Sequence, residues 1–255
     1  MQRFLENIFN TTAIGRLIGK QRQRVPVLMY HKVADELSDN LTVNVAQLAQ
    51  QLAFLNDNNY QYISIVELQA SPKALPKKAV LLTFDDAYAN NLEYAYPILK
   101  QYGAKATIFV PTAFVGQRSS WDANAEPLLL TAQLRQLDKT VFELGFHSHT
   151  HLNFKDATPN QMRQEIAQNV AFFVENNLPF VPAFAYPYGG RPQNAKAKQE
   201  MYALFQEFGI QWAFRIGNRL NGWPFANRYE IQRLDVRGNE SFAAFKNKVK
   251  WGKFL

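Results

Sequence analysis

The chain runs to 255 residues, 47% of them apolar and 20 of them phenylalanine, so it can bury a substantial core and is not a disordered polymer. It contains no cysteine, which excludes disulfides and thiolate chemistry and fits a reducing compartment. The formal charge of +7, with basic residues gathered at 16–24 and 246–253, favours an anionic partner such as a membrane surface or an acidic glycan. No DNA- or RNA-binding motif accompanies that charge, so no nucleic acid is expected.

Residues 1–24 read as a basic amphipathic extension. Phe4, Leu5, Ile8, Phe9, Ile14, Leu17 and Ile18 fall roughly at helical spacing, either on a membrane surface or packed on the protein's own body. Glu6, Asn7 and Asn10 stand where the apolar centre of a secretory leader belongs, so no signal peptide is predicted. No later run reaches membrane-spanning length. The expectation is a cytoplasmic protein, with peripheral contact at the inner face of a membrane through its basic ends.

From residue 25 onward, strands and helices alternate. VPVLMYH at 25–31 reads as a strand ending on His31, and 45–55 as a helix with Leu48, Leu52 and Leu55 on one face. A polar turn at 56–59 leads to a strand at 60–65, and 79–84 is an apolar strand. A helix is predicted over 91–102, with Pro97 kinking it or delaying its start and Gly103 closing it. Strands follow at 106–110, 143–147, 183–186, 211–215 and 229–236. Helices are predicted near 131–137, 158–176, 195–208 and 241–251, the 158–176 helix capped by Thr158 with Pro159 at its first position. Alternation of this kind implies a mostly parallel α/β sheet. With about seven strands and no glycine-rich phosphate loop, a barrel is favoured over an open, nucleotide-binding sheet. Chemistry in a barrel gathers at the carboxyl ends of the strands, and His31, Asp85, Asp86, His147 and the pair Pro187-Tyr188 all fall there.

Asp85 and Asp86 end the 79–84 strand as neighbouring anions. They either share a proton or are relieved by a cation that one ligates while the other stays free to move protons. Three of the four histidines lie in His147-Ser148-His149-Thr150-His151. In an extended segment all three face one way, whereas in a helical turn His147 and His151 meet and His149 points elsewhere. Two imidazoles and one aspartate make a ligand set with open positions, suited to a catalytic divalent ion.

TFDD at 83–86, HSHTH at 147–151 and AYPYG at 185–189 resemble, in order, three signature motifs of the polysaccharide deacetylases, the NodB-homology group of carbohydrate esterase family 4. The resemblance covers residue 25 to the C-terminus. It implies a distorted (β/α) barrel that removes acetyl groups from GlcNAc-type sugars of a cell-envelope polysaccharide, lipopolysaccharide or glycan precursor. By position, Asp85 matches the general base and Asp86, His147 and His151 the metal ligands, while His149 has no assigned role. Tyr188, after Pro187, matches the residue whose backbone N–H holds the oxyanion. Zinc is the default ion for this ligand set, with cobalt, nickel and manganese as alternatives. Trp121, Tyr186 and Tyr188 are candidates for a sugar-stacking wall, with core packing as the ordinary alternative.

The chain departs from the family pattern in three places. Ala87 replaces the usual glycine after the aspartate pair. Ala185 stands where an arginine usually steadies the base. No histidine follows His151 to serve as general acid. Leu28-Met29-Tyr30-His31 resembles the first strand of the circularly permuted poly-N-acetylglucosamine deacetylase branch, which makes His31 the acid. The alternative is a catalytically impaired barrel that binds metal and carbohydrate.

Overall fold

A computed structural model describes residues 23–70, 75–122 and 125–252, so the extension expected at 1–24 falls almost wholly outside the described residues. Seven parallel strands close into a barrel: β1 (Val27–Tyr30), β2 (Ala79–Phe84), β3 (Ala106–Val110), β4 (Phe142–Phe146), β5 (Ala183–Ala185), β6 (Trp212–Ile216) and β7 (Ile231–Asp235). Each pairs with the next in chain order, and β7 returns to β1 through Leu234 opposite Leu28. The predicted barrel is therefore the observed one. Its helices include α1 (Val45–Asp57), α2 (Ile65–Ala70), α3 (Tyr96–Gln101), α4 (Thr131–Gln136), α5 (Pro159–Glu175), α6 (Ala195–Glu207) and α7 (Phe242–Trp251). None among the described residues is long and apolar enough to cross a membrane.

Local chemistry explains most boundaries. The Asn44 side chain accepts from the Gln47 N–H while the Gln47 side chain returns the bond, so α1 starts at Val45 and buries Leu48, Leu52 and Leu55. Thr158 and Gln161 close the same box around Pro159 at the head of α5. The strand expected at 60–65 shrinks to Gln61–Tyr62, because Ser64 and Glu67 cap each other's backbone N–H groups and open α2 at Ile65. The helix expected at 91–102 divides into a π-helical turn, Asn91–Ala95, and α3, with Pro97 in the first turn of α3 where its missing N–H costs nothing. Gln23–Val25 pairs antiparallel with Asn221–Trp223, so the expected boundary at residue 24 falls inside a paired strand.

Side chains alternate between two cores. Leu28, Tyr30, Leu82, Phe84, Ile108, Val110, Leu144 and Phe146 face outward to the helices. Val27, Leu81, Phe109, Ala183, Ala185, Phe214 and Ile231 form the inner core. Small residues keep one side of that interior open. A Cβ on Gly145 would sit 2.7 Å from the Phe109 ring and 3.0 Å from the Ala183 carbonyl oxygen. Gly145→Ala is therefore expected to lower stability by about 1–3 kcal/mol, as overpacked cores do. Denaturant midpoints of the two proteins check this, and an unchanged midpoint would mean that the barrel interior yields freely.

Candidate active site

The inward files of the barrel run straight into the site. Two residues beyond Thr83 comes Asp85, two beyond Gly145 comes His147, and two beyond Met29 comes His31. On β7 the inward residue after Ile231 is Arg233, which is fully buried. Arg233 donates Nη1 to Asp85 Oδ1 at 2.5 Å and Nη2 to Oδ2 at 2.7 Å, with its guanidinium over the Phe109 ring. Burial opposes ionisation of Asp85, but the Arg233 guanidinium together with His147 and His31 outweighs it and holds the carboxyl below the usual aspartate range. Asp85 Oδ2 also lies 4.0 Å from His31 Nε2 and 3.9 Å from His147 Nε2.

Asp86 is turned away from its neighbour by a left-handed backbone (φ 72°), followed by Ala87 in the same region (φ 55°). Its Oδ1 faces His147 Nε2 at 3.4 Å and His151 Nε2 at 3.3 Å. Burial opposes ionisation here too, and the two imidazoles outweigh it, holding the Asp86 carboxyl well below the usual range. Burial lowers His151, whereas for His147 the carboxylates of Asp85 and Asp86 outweigh burial and raise it.

These residues fit a divalent cation. His147 Nδ1 is 2.8 Å from the Ala185 carbonyl, which can only accept, so Nδ1 carries a proton and Nε2 is the ring nitrogen left to face Asp86. Asp86 Oδ1 is buried without a hydrogen-bond partner among the described residues. Oxygen and nitrogen lone pairs that converge this closely repel unless a proton or a cation lies between them. The three ligand atoms lie within 4.8 Å of one another. The fixed tautomer of His147, set by a backbone carbonyl, is the usual outer support of a metal-ligating imidazole.

The 147–151 segment is neither extended nor helical. Ser148 and His151 both take left-handed backbones (φ 62° and 57°). Glu165 on α5 pins the loop by accepting from Ser148 Oγ, the His149 and Thr150 N–H groups and Thr150 Oγ1 at 2.6–2.8 Å. His149 points away and hydrogen-bonds with Thr112 Oγ1, which also takes a bond from Asn169 on α5.

Three residues of this site escape the sequence reading, and each carries a signal. Glu165 and Asn169 interrupt the apolar stripe Met162-Ile166-Phe173 on the buried face of α5. Arg233 shares the inward parity of Ile231 in the middle of a strand, where a charge demands a partner. It supplies the guanidinium that Ala185 lacks. Of the proposed sugar wall, Tyr186 is a correction: it is fully buried, with its hydroxyl donating to the Tyr229 carbonyl, and offers no face to a ligand. Pro187 is buried as well. Tyr188 is 57% exposed with its ring 4.6 Å from that of His151, in a turn with φ 57°. Trp121 stacks on His151 at 4.1 Å.

Residues 73–205 match the family model described as polysaccharide deacetylase. The chain is 30% identical over 169 residues to YxkH of Bacillus subtilis, named as a polysaccharide deacetylase, covering 65% of this chain and 57% of that protein's length. It is 23% identical over 227 residues to a poly-beta-1,6-N-acetyl-D-glucosamine N-deacetylase of Staphylococcus aureus, covering 84% of this chain and 73% of that one. Among solved structures, the Streptococcus pyogenes deacetylase PplD superposes with a TM-score of 0.73 at 23% identity, over 91% of this chain and 99% of that one. IcaB of Ammonifex degensii gives 0.73 at 21%, over 91% and 97%. At these identities the two structures speak for the shared barrel.

Removing the guanidinium leaves Asp85 as an unpaired buried charge. Arg233→Met is expected to cost about 3–5 kcal/mol at neutral pH. In the native protein Asp85 has a depressed pKa, so its stabilising contribution is present above the ordinary carboxylate range and fades as pH falls through its folded value. The variant raises that value, so the stability gap narrows on acidification as Asp85 takes up a proton. Urea unfolding between neutral pH and pH 4 checks both the size and the sign.

Proposed function

This chain belongs to the polysaccharide deacetylase family, and on that premise we propose that it hydrolyses the N-acetyl group of GlcNAc-type sugars in a cell-envelope glycan or its precursor. The observation that carries this reading is the division of labour between neighbouring carboxylates: Asp85 is held by Arg233 and faces His31, while Asp86 faces two imidazoles.

Asp86, His147 and His151 are the residues that would hold a divalent ion, zinc by default. Such an ion, when bound, polarises an acyl carbonyl and acidifies water beside it. Asp85, ionised in the folded state, takes the proton of the attacking water through Oδ2. The C–N bond breaks as His31 gives a proton to the departing amine, leaving acetate and a free amino sugar. Asp85 Oδ2 and His31 Nε2 stand 4.0 Å apart, a gap that one water would bridge, and return of the proton from Asp85 to His31 by that route would close the cycle. The left-handed turn at Tyr188 sets its ring beside that of His151, and its backbone N–H is the donor proposed here for the developing oxyanion. Arg233 keeps the base aligned from beneath.

The substrate class is supported by the similarity to the staphylococcal poly-GlcNAc deacetylase and by the completeness of the acid–base pair. Metal-loaded protein is expected to release acetate from short GlcNAc oligomers. Asp85→Asn and His31→Gln should each lower kcat by about a hundredfold to ten-thousandfold while retaining the metal. His147→Ala should lose the metal itself. Full activity in Asp85→Asn would remove the assignment of the base, and no acetate from any GlcNAc oligomer with any divalent ion would favour a carbohydrate-binding barrel.

A further inference from the structure

The two oxygens of Asp86 are not equivalent. Oδ1 faces the imidazoles, whereas Oδ2 accepts from Trp121 Nε1 at 3.3 Å. The indole N–H is shared with the Tyr88 hydroxyl oxygen at 3.2 Å. Tyr88 is buried, and its hydroxyl donates to Asp122 Oδ2, which also accepts from Ser119 Oγ at 3.0 Å and lies 3.9 Å from Lys32 Nζ. Because an indole can only donate, every bond in this chain has a fixed direction. The same ring stacks on His151 at 4.1 Å and 27°, and is braced edge-on by Phe114 at 4.8 Å.

We propose that Trp121 is a positioning residue of the metal centre, fixing both Asp86 and His151, rather than part of a sugar-stacking wall. One face of its ring is already covered by a ligand imidazole, and its only polar atom is directed at a ligand carboxylate. By occupying Oδ2 it leaves Oδ1 as the oxygen that meets the two imidazoles. The Tyr88–Asp122 pair holds the indole at the angle this requires, and Lys32 offsets the charge of Asp122. This inference rests on the metal reading above, but its test does not depend on turnover.

Trp121→Phe keeps an aromatic ring against His151 and removes the N–H. Its affinity for Zn2+, read by chelator competition on metal-stripped protein, is expected to fall about tenfold to a hundredfold, as it does when outer supports of metal ligands are lost. The stripped variant should stay folded, with a cooperative unfolding transition and only the modest drop in midpoint that one lost hydrogen bond brings. Asp122→Ala, one link further from the ligands and with the indole intact, should lose affinity in the same direction by a smaller factor, and it decides the matter if Trp121→Phe does not fold. Wild-type affinity in the folded variants overturns the proposal. Unchanged affinity together with a raised KM for GlcNAc oligomers overturns it equally, and gives the ring to the sugar. A wild-type protein that takes up no Zn2+ defeats the metal reading itself, a result separable from the first because the wild type alone shows it.

Discussion

The bidentate pair between Arg233 and Asp85 decides what each of two adjacent carboxylates can do. Without it, neighbouring anions at a strand end would compete for one proton and neither would have a defined role. The guanidinium neutralises Asp85 with a fixed charge and leaves Asp86 to the imidazoles. Space for it depends on the opposite wall. Gly145, Ala183 and Ala185 line that side of the interior, and Arg233 rests on Phe109 between them. Ala185 thus reads as one half of an exchange: a guanidinium from β7 in place of one from β5, within an interior whose width the small residues set.

Backbone strain is concentrated around Asp86, His147 and His151. Eight described non-glycine residues have positive φ, and five of them (Asp86, Ala87, Ser148, His151 and Tyr188) surround the ligand set. Each left-handed residue costs about 1–2 kcal/mol, so the turns persist only because neighbouring structure over-determines them. Glu165 does this for the 147–151 loop by accepting four hydrogen bonds on one carboxylate. The strain has a geometric use. A regular helix or strand at 147–151 would space His147 and His151 by its own period, whereas two left-handed residues bring both Nε2 atoms to one oxygen of Asp86.

The barrel was legible in the sequence because short continuous apolar runs alternating with helices imply parallel strands buried on both faces, and no glycine-rich loop argued for another α/β design. His31, Asp85, Asp86, His147 and His151 were legible for the same reason: strand ends in a barrel converge. What stayed hidden depends on contacts distant in sequence. Arg233 is 148 residues from its partner Asp85, and only its parity in the strand hinted at an inward charge. For Tyr186 the sequence leaves a sugar-facing ring and a core ring both open, because position beside a motif says nothing about which face of the strand a ring occupies; the structure gives it to the core. The short α2 was hidden by β-branched residues at 63, 65 and 66, although Ser64 and Glu67 had already written its cap.

Charge at the site explains why a cation and a buried arginine belong together there. Two ionised aspartates and one guanidinium sum to −1 in a low-dielectric interior, a balance that would repel the anionic oxygen developing on an acyl carbon. A divalent ion held by Asp86, His147 and His151 would reverse the sign to +1. The site would then attract such an oxyanion, while the pairing of Asp85 with Arg233 would keep the proposed base from becoming a further ligand. A barrel with the same imidazoles and no guanidinium would leave both aspartates free to bind the cation, and its base would be spent in coordination.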